Sequence, residues 1–428
     1  MSLIFKNCLP YFLLLVLLVP TFGQAKVKEK FDPTFDTQIK WLGNALSNSN
    51  VSTEKIDTFR NYNTGKNSYH VSAANAPWAG YWWPWRTGGI SLRWQQESPI
   101  YPEPKVQKPG KAGQNETPLD PHVYYPTLDK MISADEMVAK LKELETSGKL
   151  RQLSPVEKFD IYVGDYHFSA TKHSKEKRGP TTKQWDIFAA GWRGYCNGAR
   201  AAGALLPEPT QPLTVTNPDG IKVTFDIADL KALGTSAYFY TEKWSALGLP
   251  TRGSITTFVV DGNQKPPNMG VFDIAIRAYL ADSGKLFFMD KSASFVVSNV
   301  TVIGFQREIK DTKLKLSKSE YKNHPGAYKR ISIDTTLEYL GEIEKRNDNK
   351  LEFSGYGPII RESNAPTKQL VAQGVYSHKT KVSYYLYVDA NDRIIDGELD
   401  GRGPDMYWFA AGQGIDDRYY EPIIEAYP

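Results

Sequence analysis

The chain has 428 residues, 52 of them basic and 48 acidic, for a formal net charge of +4, with two cysteines. That balance, without any Lys/Arg run interleaved with stacking aromatics, excludes nucleic acid as a partner. The length exceeds what one hydrophobic core usually supports, which predicts more than one domain.

At the N-terminus, Lys6 precedes the apolar run Tyr11–Val19 and then Gly23-Gln24-Ala25, which reads as a signal peptide over residues 1–25. The run is shorter than the roughly 20 residues a membrane-spanning helix needs, so no stable span is expected and the mature protein should be secreted or periplasmic. Cys8 leaves with the signal, and Cys196 remains as the single thiol in a disulfide-permissive compartment. The expected organisation is an aromatic-rich and linker region over 26–130, a central core over 131–325 and a β-rich C-terminal domain over 326–428.

The cluster Trp78, Tyr81, Trp82, Trp83 and Trp85 suits core packing better than an exposed ligand platform. Proline and polar residues over 98–126 mark an extended loop. Ser133-Ala134-Asp135-Glu136 is a capping box ahead of Met137, Leu141 and Leu144 on one helical face, and Ser154, Pro155 and Glu157 repeat the helix-start signature. Further on, Leu286–Asp290 closes an apolar run that reads as a buried strand. After residue 325 the alternation in Val382–Val388, the turn Asp389–Asp392 and the return Arg393–Ile395 predict a hairpin; the turn lacks the spaced ligands and distal glutamate of a calcium loop. Asn50, Asn115 and Asn299 begin glycosylation sequons, and Asn299 is read as structural.

Cys196 opens an Ala-rich stretch, Cys196–Leu206, that stops before Pro207-Glu208-Pro209 and reads as a helix, although Gly198 and Gly203 weaken it. At a helix start, uncapped backbone N–H groups and the positive end of the dipole lower a thiol's pKa and can hold a developing oxyanion. Arg193 adds positive charge nearby in sequence. A lone cysteine is otherwise most often a small buried hydrophobe.

The segment Trp192-Arg193-Gly194-Tyr195-Cys196-Asn197-Gly198-Ala199-Arg200-Ala201-Ala202 resembles the nucleophile segment of the transglutaminase elicitor family, secreted acyltransferases. In order along the chain, Pro77–Pro84 with Arg93-Trp94, Ser154–Asp160, Asp226–Leu233, Val297–Val302, Ile394–Glu398 and Pro404–Trp408 also resemble that family's elements, covering about residues 75–410. The resemblance implies an α+β fold: a papain-like, transglutaminase-like core with an N-terminal extension and a C-terminal β domain. It further implies a Cys, His, Asp triad, with Cys196 attacking a glutamine carboxamide of a protein or peptide, ammonia leaving, and an amine acceptor or water resolving the thioester. No cofactor or metal is implied. Trp192, Tyr195 and Asn197 flank the thiol as candidate oxyanion and substrate-binding residues.

One position departs from the family pattern. Its Asn-Pro-Gly-Ala-Phe-His reads here as Asn268-Met269-Gly270-Val271-Phe272-Asp273, so the expected histidine is an aspartate. Asp290 matches the orienting carboxylate. All six histidines lie outside the interval from Cys196 to Asp290. Three explanations stand: Asp273 is the base, with a pKa raised by burial and by Asp290; His167, or His173, folds back to Cys196; or the chain is a catalytically impaired binding protein. A cysteine amidase or peptidase on the same core is a further reading.

Overall fold

The computed structural model describes residues 34–83, 89–91, 133–178, 194–241, 244–247, 249–250, 267–290, 299–341, 365–401, 403–404 and 406–410. The signal peptide, the loop expected over 98–126, Trp85, Asn115, His122, Trp192 and Arg193 lie outside the described residues. In chain order the helices are α1 (Phe35–Asn48), α2 (Glu54–Phe59), α3 (Ala134–Thr146), α4 (Pro155–Tyr162), α5 (Ser169–Arg178), α6 (Cys196–Leu205) and α7 (Ile227–Thr241). They continue with α8 (Met269–Ile274), which runs on as a π-helix over Ala275–Asp282, then α9 (Lys318–Asn323) and α10 (Lys368–Ala372). The strands are β1 (Ser68–His70), β2 (Leu213–Thr216), β3 (Lys222–Phe225), β4 (Trp244–Leu247), β5 (Leu249–Pro250) and β6 (Phe287–Asp290). The remaining strands are β7 (Asn299–Lys313), β8 (Lys329–Leu340), β9 (Ser377–Val388), β10 (Ile394–Leu399) and β11 (Met406–Ala410).

Local sequence accounts for several of these boundaries. Both predicted capping boxes form: Glu136 Oε2 accepts from the Ser133 N–H at 2.9 Å and Glu157 Oε2 from the Ser154 N–H at 2.9 Å, while each serine side chain accepts from the backbone of its glutamate. Met137 and Leu141 are buried under α3, as the periodicity predicts. The hairpin is closed by the Asp389 N–H donating to the Arg393 carbonyl at 2.9 Å, with Asp392 left-handed at φ 63° and the Asp389 carboxylate holding the N–H of Asn391. Trp78, Tyr81 and Trp83 are buried, so the aromatic cluster is packing material there.

One antiparallel sheet runs β10-β9-β8-β7-β6-β11-β4-β5, with β1 also on β7, while β2 and β3 pair separately. After residue 326, β8 pairs directly with β7, β9 and β10 extend the sheet from β8, and β11 pairs with β6 and β4. Because successive side chains on a strand point to opposite sides, the sheet sorts its residues into two faces. Phe287, Met289, Val300, Val302, Tyr384, Tyr407 and Phe409 project to one face and form a large core with α1 and α8. Phe288, Asp290, Asn299 and Trp408 project to the other, toward α6.

Beyond α6 lies a second core built on α3, α4, α7 and β3, with Met137, Leu141, Val156, Phe159, Val223, Phe225, Leu230 and Leu233 buried in it. Charge pairs join its parts: buried Lys158 Nζ donates to buried Asp229 at 2.5 Å, and the exposed Arg151 side chain reaches buried Asp226 at 2.5 Å, which ties α4 and the turn before it to the start of α7. Burial pushes the Asp229 carboxyl up to about 6 despite the adjacent Lys158 ammonium. The mixed helix and strand composition agrees with the α+β class expected from the sequence.

Candidate active site

Cys196 is the first residue of α6. The Tyr195 N–H donates to the Trp82 carbonyl at 2.7 Å, which fixes the chain just before the thiol, and no side chain caps the helix start. The helix that sequence propensity reads as weakened by glycine is instead held by close backbone approach. A Cβ on Gly198 would lie 2.2 Å from the Thr235 carbonyl of α7, and one on Gly203 would lie 2.6 Å from the Trp78 carbonyl. Both glycines let neighbouring backbone reach α6 where any side chain would push it away.

Cys196 is 9% exposed, and its sulfur receives the Asn299 Nδ2 donor of β7 at 3.7 Å. Asn299 Oδ1 in turn accepts from Trp408 Nε1 at 2.8 Å, and Trp408 stacks on Phe288 with centroids 4.0 Å apart. Arg200, one turn along α6 from the thiol, donates through Nε to the Asn299 carbonyl at 3.1 Å and through Nη1 to the Gly341 carbonyl at 3.1 Å. Asp290 pairs directly with Asn299 across β6 and β7, so its side chain leaves the sheet on the same side, with Cβ atoms about 5 Å apart. The structure thus brings Cys196, Asn299, Trp408, Arg200 and Asp290 to one face of the sheet.

Asp273 is not among them. It lies on α8, against the opposite face of the sheet, where its carboxylate accepts from Arg277 Nε at 2.8 Å, Arg307 Nε at 2.6 Å and the Tyr384 hydroxyl at 2.7 Å. Arg307 and Asn299 share β7 but stand eight residues apart, roughly 25 Å of strand. Burial alone would push the Asp273 carboxyl up; the two guanidiniums and the Tyr384 hydroxyl hold it below the ordinary carboxylate range. The expectation of a base with a raised pKa beside Asp290 is therefore corrected: Asp273 is the centre of a buried ionic cluster.

The histidines have other surroundings as well. His167 is exposed in the turn between α4 and α5, where its N–H donates to Asp165 Oδ1 at 2.9 Å, and His173 is exposed on α5. His70 meets Glu338 at 3.2 Å, His324 meets Asp396 at 2.6 Å and His378 stacks on Tyr339. Of the flanking candidates, Tyr195 is buried with its ring 4.9 Å from that of Phe239, within the helical core, and Asn197 is buried in the first turn of α6.

Asn299, Trp408 and Arg200 were visible to sequence reasoning only as letters within longer motifs. Asn299 is 103 residues from Cys196 in sequence, and no spacing rule links the two. Its burial at 2% exposure, with both ends of its amide engaged, removes it as a glycan acceptor in the folded chain.

The fold is α+β, with a thiol at a helix start facing the central sheet. The structure is similar to the crystal structure of the GP42 transglutaminase from Phytophthora sojae, with a TM-score of 0.54 over 89% of this chain and 92% of that one, at 16% sequence identity. No family model and no curated protein matches the sequence. At that identity the likeness establishes the fold. No helix among the described residues is long and apolar enough to cross a membrane.

Proposed function

We propose that the protein is an exported transglutaminase-like acyltransferase whose nucleophile is Cys196. The observation that carries this reading is the buried thiol at the uncapped start of α6, which receives a hydrogen-bond donor from the sheet face that also carries Asp290. In this reading the Cys196 thiolate attacks the carboxamide carbon of a glutamine side chain in a protein or peptide. The C–N bond breaks, the nitrogen leaves as ammonia after gaining a proton, and a thioester remains. A primary amine then attacks the thioester carbon, loses a proton, and the C–S bond breaks to return the sulfur.

Each half-reaction needs a group that moves a proton, and Asp290 is assigned that role because it projects beside Asn299 on the reacting face. The oxyanion is met by backbone N–H groups in the first turn of α6, where the helix dipole favours negative charge. Arg200 supports both by holding α6 against β7.

A glutamine-containing protein incubated with a labelled primary amine tests the proposal. Incorporation that disappears in Cys196→Ala sustains it, and folded protein that incorporates no amine overturns it. Release of ammonia or cleaved peptide without incorporation would identify a cysteine amidase or peptidase on the same scaffold. A second reading, a binding protein that retains the fold, draws on the aspartate found where the family pattern expects histidine; it predicts partner binding that survives Cys196→Ala.

A further inference from the structure

We propose that Asn299 is a catalytic hydrogen-bond donor to the Cys196 sulfur, held in its donating orientation by Trp408. The inference rests on Cys196 as the nucleophile and adds a residue that the triad expectation does not contain. An asparagine amide has an accepting oxygen and a donating nitrogen, and only its partners decide which end faces where. Here the choice is forced. An indole Nε1–H donates and never accepts, so the atom 2.8 Å from Trp408 Nε1 must be Asn299 Oδ1. The other end, Nδ2, is then the one 3.7 Å from Sγ.

The lock is rigid at every joint. Trp408 is 1% exposed and stacked on Phe288 at 4.0 Å, so its ring cannot turn away without breaking the packing of β6 against β11. The backbone of Asn299 is held by its pairing with Asp290 and by Arg200 Nε on its carbonyl at 3.1 Å. A donor fixed in this way cannot rotate to offer its oxygen to the thiol.

The chemical consequence follows from the difference between thiol and thiolate as acceptors. A neutral thiol is a weak acceptor and an anionic sulfur a strong one, so a fixed N–H strengthens its bond when the proton leaves. A group hydrogen-bonded preferentially in its charged form ionises more readily. Burial opposes the thiolate, and a fixed donor at the sulfur offsets that cost. As the thioester forms, the sulfur's charge passes to the bond with carbon; when the thiolate departs again, Nδ2 receives it.

The thiolate absorbance near 240 nm, followed against pH and referenced to Cys196→Ala, reads the ionisation directly in the full chain. Trp408→Phe keeps an aromatic ring opposite Phe288 and removes Nε1–H together with the five-membered ring, and Asn299→Leu keeps the branched shape and deletes the amide. Both variants should raise the half-ionisation pH by about one unit, an approximately tenfold fall in the ionisation constant of the thiol. Iodoacetamide labelling of the Cys196 peptide should slow by a similar factor at a pH below the half-ionisation point.

An unchanged half-ionisation pH in folded Trp408→Phe or folded Asn299→Leu overturns the proposal, since each removes part of the contact that presents Nδ2 to the sulfur. A wild-type half-ionisation at or above the ordinary thiol value of about 8.5 also overturns it, without need of any variant. The outcome is separable from that of the proposed transferase activity. Amine incorporation with an unshifted titration in the variants sinks the donor role alone, while a shifted titration in a protein that never incorporates amine keeps the donor and sinks the transferase.

Discussion

Replacing Asp273 by alanine removes the acceptor shared by Arg277 Nε and Nη2 at 2.8 and 2.6 Å, Arg307 Nε at 2.6 Å and the Tyr384 hydroxyl at 2.7 Å. Both guanidiniums are fully buried and stay behind when the carboxylate goes. Arg277 also donates to the carbonyls of Phe59, Asn61 and Thr64, so the turn after α2 loses its anchor as the cluster loosens. Deleting one partner of a buried ion pair costs about 3–5 kcal/mol, because the remaining charge is left desolvated. Against a total stability of about 5–15 kcal/mol that is a large fraction. Urea unfolding followed by tryptophan fluorescence should show that loss, while the half-ionisation pH of Cys196 in the folded variant stays where it is in the wild type. An Asp273→Ala protein of undiminished stability with a displaced Cys196 titration would refute the assignment and return Asp273 to the reacting face. The pH dependence is a second check with a defined sign. The folded pKa of Asp273 is lowered, so its contribution is fully present above the unfolded value of about 3.9 and disappears as pH falls through the folded value. Asp273→Asn should lack that acid-side component.

Two further substitutions test the scaffold around the thiol. Gly198→Ala places a Cβ 2.2 Å from the Thr235 carbonyl, which must separate α6 from α7; a loss of roughly 1–3 kcal/mol in thermal unfolding is expected, and an unchanged transition would mean the helices are not in contact there. Asp160, which holds the N–H groups of Ala170 and Thr171 at the start of α5, has its carboxyl pushed up to about 7 by burial. Its stabilising contribution is therefore greatest at low pH and declines as pH rises from about 4 toward 7. The stability gap between wild type and Asp160→Asn should narrow over that window, and a gap independent of pH would contradict it.

Features that depend on a few neighbouring residues were legible in the sequence. The capping boxes at Ser133 and Ser154, the hairpin turn at Asp389–Asp392, the helix opened by Cys196 and the buried strand ending at Asp290 all follow from local hydrogen bonding and periodicity. The glycines of α6 were misweighted for the same reason: helix propensity sees their flexibility, while Gly198 and Gly203 are there for the neighbours that touch them. Asp273 shows the limit most sharply. A motif match places it in register with a catalytic histidine, and nothing in that match says which side of the sheet α8 will cover.

What the sequence determined by itself, then, was the thiol, the helix that presents it and the carboxylate at the end of β6. Tertiary structure decided which groups meet that thiol. Side chains on a strand alternate with a period of two, so a shift of one residue in pairing exchanges the faces. The pairing of Asn299 with Asp290 and of Trp408 with Phe288 sets the successive strands β6 and β7 and the distant β11 in the register that turns the asparagine amide toward Cys196.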